Sequence, residues 1–240
     1  MAEHISRKEL KHDKVRETIE HGAEAVLSHT RIAAVVALLS IVGARSYIAW
    51  YFYSDRQNAE SSAALEDAMK VYGARIRGAG DPLEPGEVSY TDPAQRAQDA
   101  STKFMAVAAK YPKTNSGRIA RYYSALCMED LERHNQALEE LRKIASGGDK
   151  ELASLAQYQI GVINARTGQP EEAIKQFRSL AEKSSIFVPR PMVLLELAGV
   201  LRETRPQEAA TVYQQIKKEF PNTPAAEEAD RGLGMLSGKA

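Results

Sequence analysis

Few residues in this chain combine the type and spacing that covalent or metal chemistry needs. The single cysteine, Cys127, lies inside a helical apolar pattern, where a thiol packs as a small core residue, and one cysteine builds no internal disulfide framework. It also lies far from any N-terminal lipid-attachment position. Four of the five histidines are His4, His12, His21 and His29. On a helix their spacings rotate successive rings by roughly 80°, 180° and 80°, so they share no face and form no metal site. The fifth, His134, stands beside Asn135 between two helical patterns and reads as turn chemistry more than as a catalytic base. The carboxylate pairs Glu139/Glu140 and Glu171/Glu172 fall on helix surfaces, where they read as solvated faces. Hydrolase elbows, phosphate loops, zinc signatures and dinucleotide fingerprints do not occur. The expectation is therefore of no enzyme, no cofactor, no metal and no small-molecule substrate.

Charge excludes another class. The chain carries 32 basic and 32 acidic side chains, for zero net charge, and no run of five like charges. Nucleic-acid binding by counterion release needs a clustered basic surface, so nucleic acid is not expected as a partner. The mean hydropathy of -0.41 averages over a very uneven distribution.

The unevenness begins near the N-terminus. Residues Ile32 to Tyr53 read IAAVVALLSIVGARSYIAWYFY. As a helix this segment rises about 33 Å, enough to cross a hydrocarbon layer about 30 Å thick. It ends in Tyr47, Trp50, Tyr51, Phe52 and Tyr53, residues that settle at a membrane–water interface. Arg45 opposes insertion, at roughly 2.5–3.5 kcal/mol for an arginine at the centre of a span, but it lies past the middle and can extend toward the interface. A transmembrane helix over 32–53 is expected. The rival is a secretory signal with cleavage after Ala44, which would need an unusually long preceding region. Lys14, Arg16 and Arg31 on one side outnumber Arg56 and Lys70 on the other, which favours a cytoplasmic N-terminus.

Residues 1–31 form a separate segment. Ser6 to Glu9 matches a capping box, and Val15, Ile19, Ala23 and Val26 recur at helical spacing, predicting a short amphipathic helix. Beyond the span, residues 54–92 divide into a stalk helix over Ala59–Ile76 and a Gly- and Pro-rich loop over Gly78–Asp92.

The clearest signal lies in residues 93–240. The segments beginning at Ala120 and Ala156 align at a 36-residue offset, and each reads as helix, turn, helix. Ala137 matches Ala173, Leu141 matches Phe177 and Ile144 matches Leu180. A third second helix follows another 36 residues on, from Pro206 through Tyr213 and Ile216. An earlier partial copy shows Ala100 and Phe104 and closes with Tyr111-Pro112, an ending repeated as Phe220-Pro221. A short helix from Pro224 to about Leu236 is expected to cap the stack. Periodicity of this length means stacked helix pairs.

These residues resemble the tetratricopeptide repeat. The small residues Ala125, Gly161 and Ala198 match the family's close helix crossing, and Ala100/Phe104, Ala173/Phe177 and Ala209/Tyr213 match its alanine and aromatic four residues apart. Gly168 matches the turn glycine, which the other turns lack; Met128 and Asn164 stand where the family has tyrosine. The fold class implied is all-α, an N-terminal transmembrane helix followed by a tetratricopeptide-like solenoid of helical pairs.

By that resemblance the concave face would carry Tyr122, Glu129, Tyr158, Arg166, Arg202 and Glu203 as a protein-binding set. The two tyrosines either bind a ligand or pack between repeats. The layout of short head, single span and external repeat domain resembles the YfgM-like ancillary subunits of the bacterial SecYEG translocon. What that implies is a protein of the bacterial inner membrane, with a periplasmic C-terminal domain. Its partners would be translocon subunits, periplasmic chaperones or client polypeptides, and its role would be to assist translocation or chaperone hand-over. The alternative is a scaffold for envelope assembly or cell division, released by signal cleavage.

Overall fold

The computed structural model describes residues 30–78, 86, 88–183 and 185–238. The amphipathic helix and four histidines expected within residues 1–29 lie outside the described residues, as does most of the Gly78–Asp92 loop.

Helix α1 runs unbroken over Thr30–Tyr72. It stops because Gly73 follows, its N–H still bonded to the Met69 carbonyl at 2.8 Å. The stalk helix therefore ends four residues short of the expected Ile76. Arg75–Ile76 instead form strand β1, paired in parallel with β2, Ser89–Tyr90. Arg77 Nε donates to Ser89 Oγ at 2.8 Å beside this bridge. A pair of two-residue strands has no periodicity for a sequence pattern to reveal, and it is the one departure from an all-α fold among the described residues.

The chain splits into two compact units, Met1–Arg56 and Gln57–Ala240. In the first, the described part is the apolar portion of α1. Ile32, Val35, Leu38, Leu39, Trp50 and Phe52 are all exposed. The most apolar 18-residue window reaches a mean hydropathy of 1.9 with none of it buried. This helix is long and apolar enough to cross a membrane.

The second unit is a stack of helices. After β2 come α2 (Pro93–Lys110), α3 (Asn115–Asp130), α4 (His134–Ala145), α5 (Lys150–Arg166), α6 (Pro170–Glu182), α7 (Arg190–Thr204), α8 (Pro206–Glu219) and α9 (Pro224–Leu236). From α2 onward each helix packs on the next, and α3 with α5, α5 with α7 and α7 with α9 also touch. Asp92, Thr114, Asp149 and Thr223 cap four of these helices through side-chain oxygens that accept backbone N–H bonds. The repeated aromatic-Pro-x-Thr endings share one construction. Thr114 donates to the Tyr111 carbonyl at 3.0 Å and Thr223 to the Phe220 carbonyl at 2.7 Å, each while capping the following helix.

Residues four apart share a helix face, so each alanine–large pair in a second helix points one way. Ala100 and Phe104, Ala137 and Leu141, Ala173 and Phe177, and Ala209 and Tyr213 are all buried. Burial of each large member contributes about 1.5–3 kcal/mol. The close crossing between α5 and α6 depends on Gly161, because a Cβ there would meet the Phe177 ring at 2.6 Å. The turn after α5 uses Gly168 at φ +76°; the matching turn after α3 puts Glu132 at φ 58°. A non-glycine residue thus accepts the left-handed conformation where the family pattern has glycine.

The partial copy around Phe104 is completed by α1. Ser61, Ala64, Leu65, Ala68, Val71 and Tyr72 form one face of the helix, and Ala68 and Val71 pack with Phe104, Val107 and Cys127. Tyr72, Phe104 and Tyr123 form a ring cluster with centroids 5.4–6.0 Å apart. Tyr111 donates to Glu60 at 3.2 Å, and the hydroxyls of Ser62 and Ser116 lie 3.2 Å apart. Residues 57–72, set apart as a stalk in the sequence, are thus the first helix of the first pair. The long insertion between Gly73 and Asp92 hides that pairing by breaking the 36-residue spacing.

Candidate functional site

The six residues expected on the concave face all belong to first helices: α3, α5 and α7. The structure joins four of them to the neighbouring repeat. Tyr122 is only 7% exposed and belongs to the core cluster between α3 and α5. Burial raises the pKa of its phenol, and a hydrogen bond with Gln159 of α5 opposes that rise. Tyr158 is half-buried and donates to Glu196 Oε1 of α7 at 2.8 Å. Its phenol is raised too, first by burial and then by that carboxylate. Arg166 Nη1 donates to Glu129 Oε1 at 3.1 Å across the α3–α5 step.

The position of Tyr122 and Tyr158 therefore links α3 to α5 and α5 to α7, and both tyrosines pack against the next repeat. Glu129 is engaged twice, since His134 Nδ1 lies 2.7 Å from its other oxygen. His134 opens helix α4 and does not sit in the turn, and its ring is held against a carboxylate. The remaining two residues lie further along. Arg202 Nη1 lies 3.2 Å from Met235 Sδ, and Glu203 is exposed. Of the set, Arg166 (side chain 66% exposed) and Glu203 present the most surface to a partner.

An apolar groove of about 640 Å³ lies between the first helices α3 and α5. Ile119, Tyr122 and Leu126 line it from α3, Leu152 and Leu155 from α5, and Phe187 from the loop before α7. Of these, only Tyr122 was singled out from the sequence. The α3 and α5 residues follow helical spacing, which is also the signal for an ordinary core face, so periodicity could not separate groove from core. The consecutive apolar residues Ile186 and Phe187 before Pro189 were the one local hint, since loops seldom carry two large apolar side chains together.

The arrangement suits binding by shape and burial. Among the described residues no group of three metal-ligating side chains occurs. Cys127 is fully buried, and its thiol is pushed up to about 12, by burial first and then by Asp130.

A family model described as a tetratricopeptide repeat-like domain matches residues 29–188. A second, described as a tetratricopeptide repeat, matches residues 192–223. No curated protein and no solved structure matches the chain.

Proposed function

This chain belongs to the tetratricopeptide repeat-like domain family, and from that premise we propose that it is a protein-binding module held at a membrane by helix α1. The observation that carries this reading is the contrast within Thr30–Tyr72. Large apolar side chains from Ile32 to Tyr53 stay exposed, while the residues beyond Gln57 pack into the repeats. Exposed apolar area on that scale marks an interaction with lipid or protein. A lipid interior accepts it because a helix satisfies its own backbone groups. The family match supports the reading, since it begins at residue 29 and takes in the apolar segment together with the repeats.

The finer reading follows the resemblance to the YfgM-like translocon subunits. The N-terminus lies in the cytoplasm and the repeats lie in the periplasm. The partners are translocon subunits, periplasmic chaperones or emerging clients, passed from one to the next. Arg166, Glu203 and the apolar groove supply binding surface; catalysis has no part in it. Crosslinking in intact cells, followed by mass spectrometry, tests this role. Recovery of translocon subunits or periplasmic chaperones supports it; recovery of only cell-division or outer-membrane assembly proteins replaces it with the scaffold role.

A further inference from the structure

We propose that the groove between α3 and α5 binds an extended polypeptide segment in which large apolar side chains stand next to a lysine or arginine. This rests on the protein-binding reading above and names the chemistry of the partner.

The groove's volume falls within the range of sites that bury a ligand. Its rim is completed by a loop built to hold apolar side chains outward. Ser185 and Val188 are tied by two hydrogen bonds, backbone N–H to carbonyl at 3.1 Å and Val188 N–H to Ser185 Oγ at 3.2 Å. Arg190 Nη1 reaches back to the Ala181 carbonyl at 2.7 Å. Val188 is fully buried and anchors the loop, yet its neighbours Ile186 and Phe187 are 86% and 59% exposed. The tied loop turns Phe187 to this groove and Ile186 to the adjoining cleft, so an apolar chain laid along the groove would meet the Phe187 ring.

Charge selects the kind of chain that fits. No lysine or arginine lines this groove, and its carboxylates are Asp149 and Glu151. Asp149 is already paired with Arg118 at 3.3 Å. Glu151 Oε2 is buried and has no hydrogen-bond partner among the described residues. The adjoining cleft shares Glu151 and carries Lys150 and Lys183; among the described residues Glu151 Oε2 bonds to neither. A carboxylate oxygen withdrawn from water without a partner is costly, and a cation entering beside apolar groups would remove that cost. An acidic segment would meet Glu151 with like charge.

Fluorescence anisotropy with the full chain in detergent micelles tests this. The probes are labelled peptides of leucine and phenylalanine flanked by arginine, the same with glutamate for arginine, and the same with serine for the apolar residues. The basic apolar peptide should bind best. Glu151→Gln should weaken it about tenfold or more and Phe187→Ser should weaken it similarly, while Glu139→Gln on α4 leaves it unchanged. Circular dichroism checks that each variant stays folded; both groove residues keep solvent contact, so folding should survive. Equal binding by wild type and Glu151→Gln overturns the groove assignment. If that binding is instead lost on Arg166→Gln, the protein-binding reading stands and only the groove falls. Self-association abolished by Phe187→Ser, with no peptide bound, overturns the proposal by making a second copy the occupant. No binding of any peptide, together with no protein crosslinked in cells, removes both readings.

Discussion

Residues 32–53 and residues 57–72 belong to one helix, yet they solve opposite problems. The first stretch carries leucine, valine, isoleucine and aromatic side chains on every side, and all of the large ones are exposed. The second alternates faces. Ala68 and Val71 are buried against Phe104, while Glu66 and Asp67 face water and each pairs with Lys70. An all-round apolar helix needs an apolar surrounding, whereas a one-sided helix needs only a partner along its stripe. Helix propensity does not tell the stretches apart; the distribution of apolar area does.

Substitutions placed on the two stretches should separate them. The largest effect is expected from Phe104→Ala, which removes the ring packed on the second stretch. Unfolding free energy of the repeat unit should fall by about 3–5 kcal/mol, measured by denaturant titration, with membrane partitioning of the chain unchanged. Leu39→Arg should do the reverse. It adds a charge penalty of about 3 kcal/mol to insertion of the first stretch, read as loss from the carbonate-resistant fraction, and leaves the repeat stability alone. A matched pair sharpens the contrast further. Ala68→Leu overfills a fully buried position and should destabilise by about 1–3 kcal/mol, whereas Ala37→Leu, on an exposed position, should leave thermal unfolding where it was.

The mildest test uses pH. Burial, with the Asp130 charge behind it, pushes the Cys127 thiol from 9.0 and the Tyr72 phenol from 10.0 to about 12. Both folded values lie above the unfolded ones, so folding favours the protonated forms. Their stabilising contribution is complete below about pH 9 and is lost as pH rises toward 12. Alkaline denaturation should therefore loosen the Tyr72–Phe104 cluster first, and Cys127 should resist alkylation at neutral pH. Rapid labelling of the native chain would place the thiol at the surface instead.

How much of this was legible depended on whether the signal repeats. The second helices could be read because Ala137, Ala173 and Ala209 recur 36 residues apart and their partners must fill the same gap. The first pair could not, because its first helix is separated from Phe104 by the Gly73–Asp92 insertion, and spacing carries no information across an insertion of unmatched length. The six residues expected on the concave face fall on α3, α5 and α7. Their use was less legible, since a tyrosine that packs between repeats and one that binds a partner occupy the same position in the pattern. Only the distance from Tyr158 to Glu196, or the burial of Tyr122, distinguishes the two. Glu151 and Phe187 could not be found at all from spacing, because the groove arises where two helices and a loop converge.

Protease protection in inverted inner-membrane vesicles tests the central claim most directly, with the intact chain followed by an antibody to its C-terminal helix. The expected result is a full-length, carbonate-resistant protein whose repeat unit is shielded until detergent opens the vesicle. A repeat unit digested without detergent, or a soluble product beginning after Ala44, would contradict it.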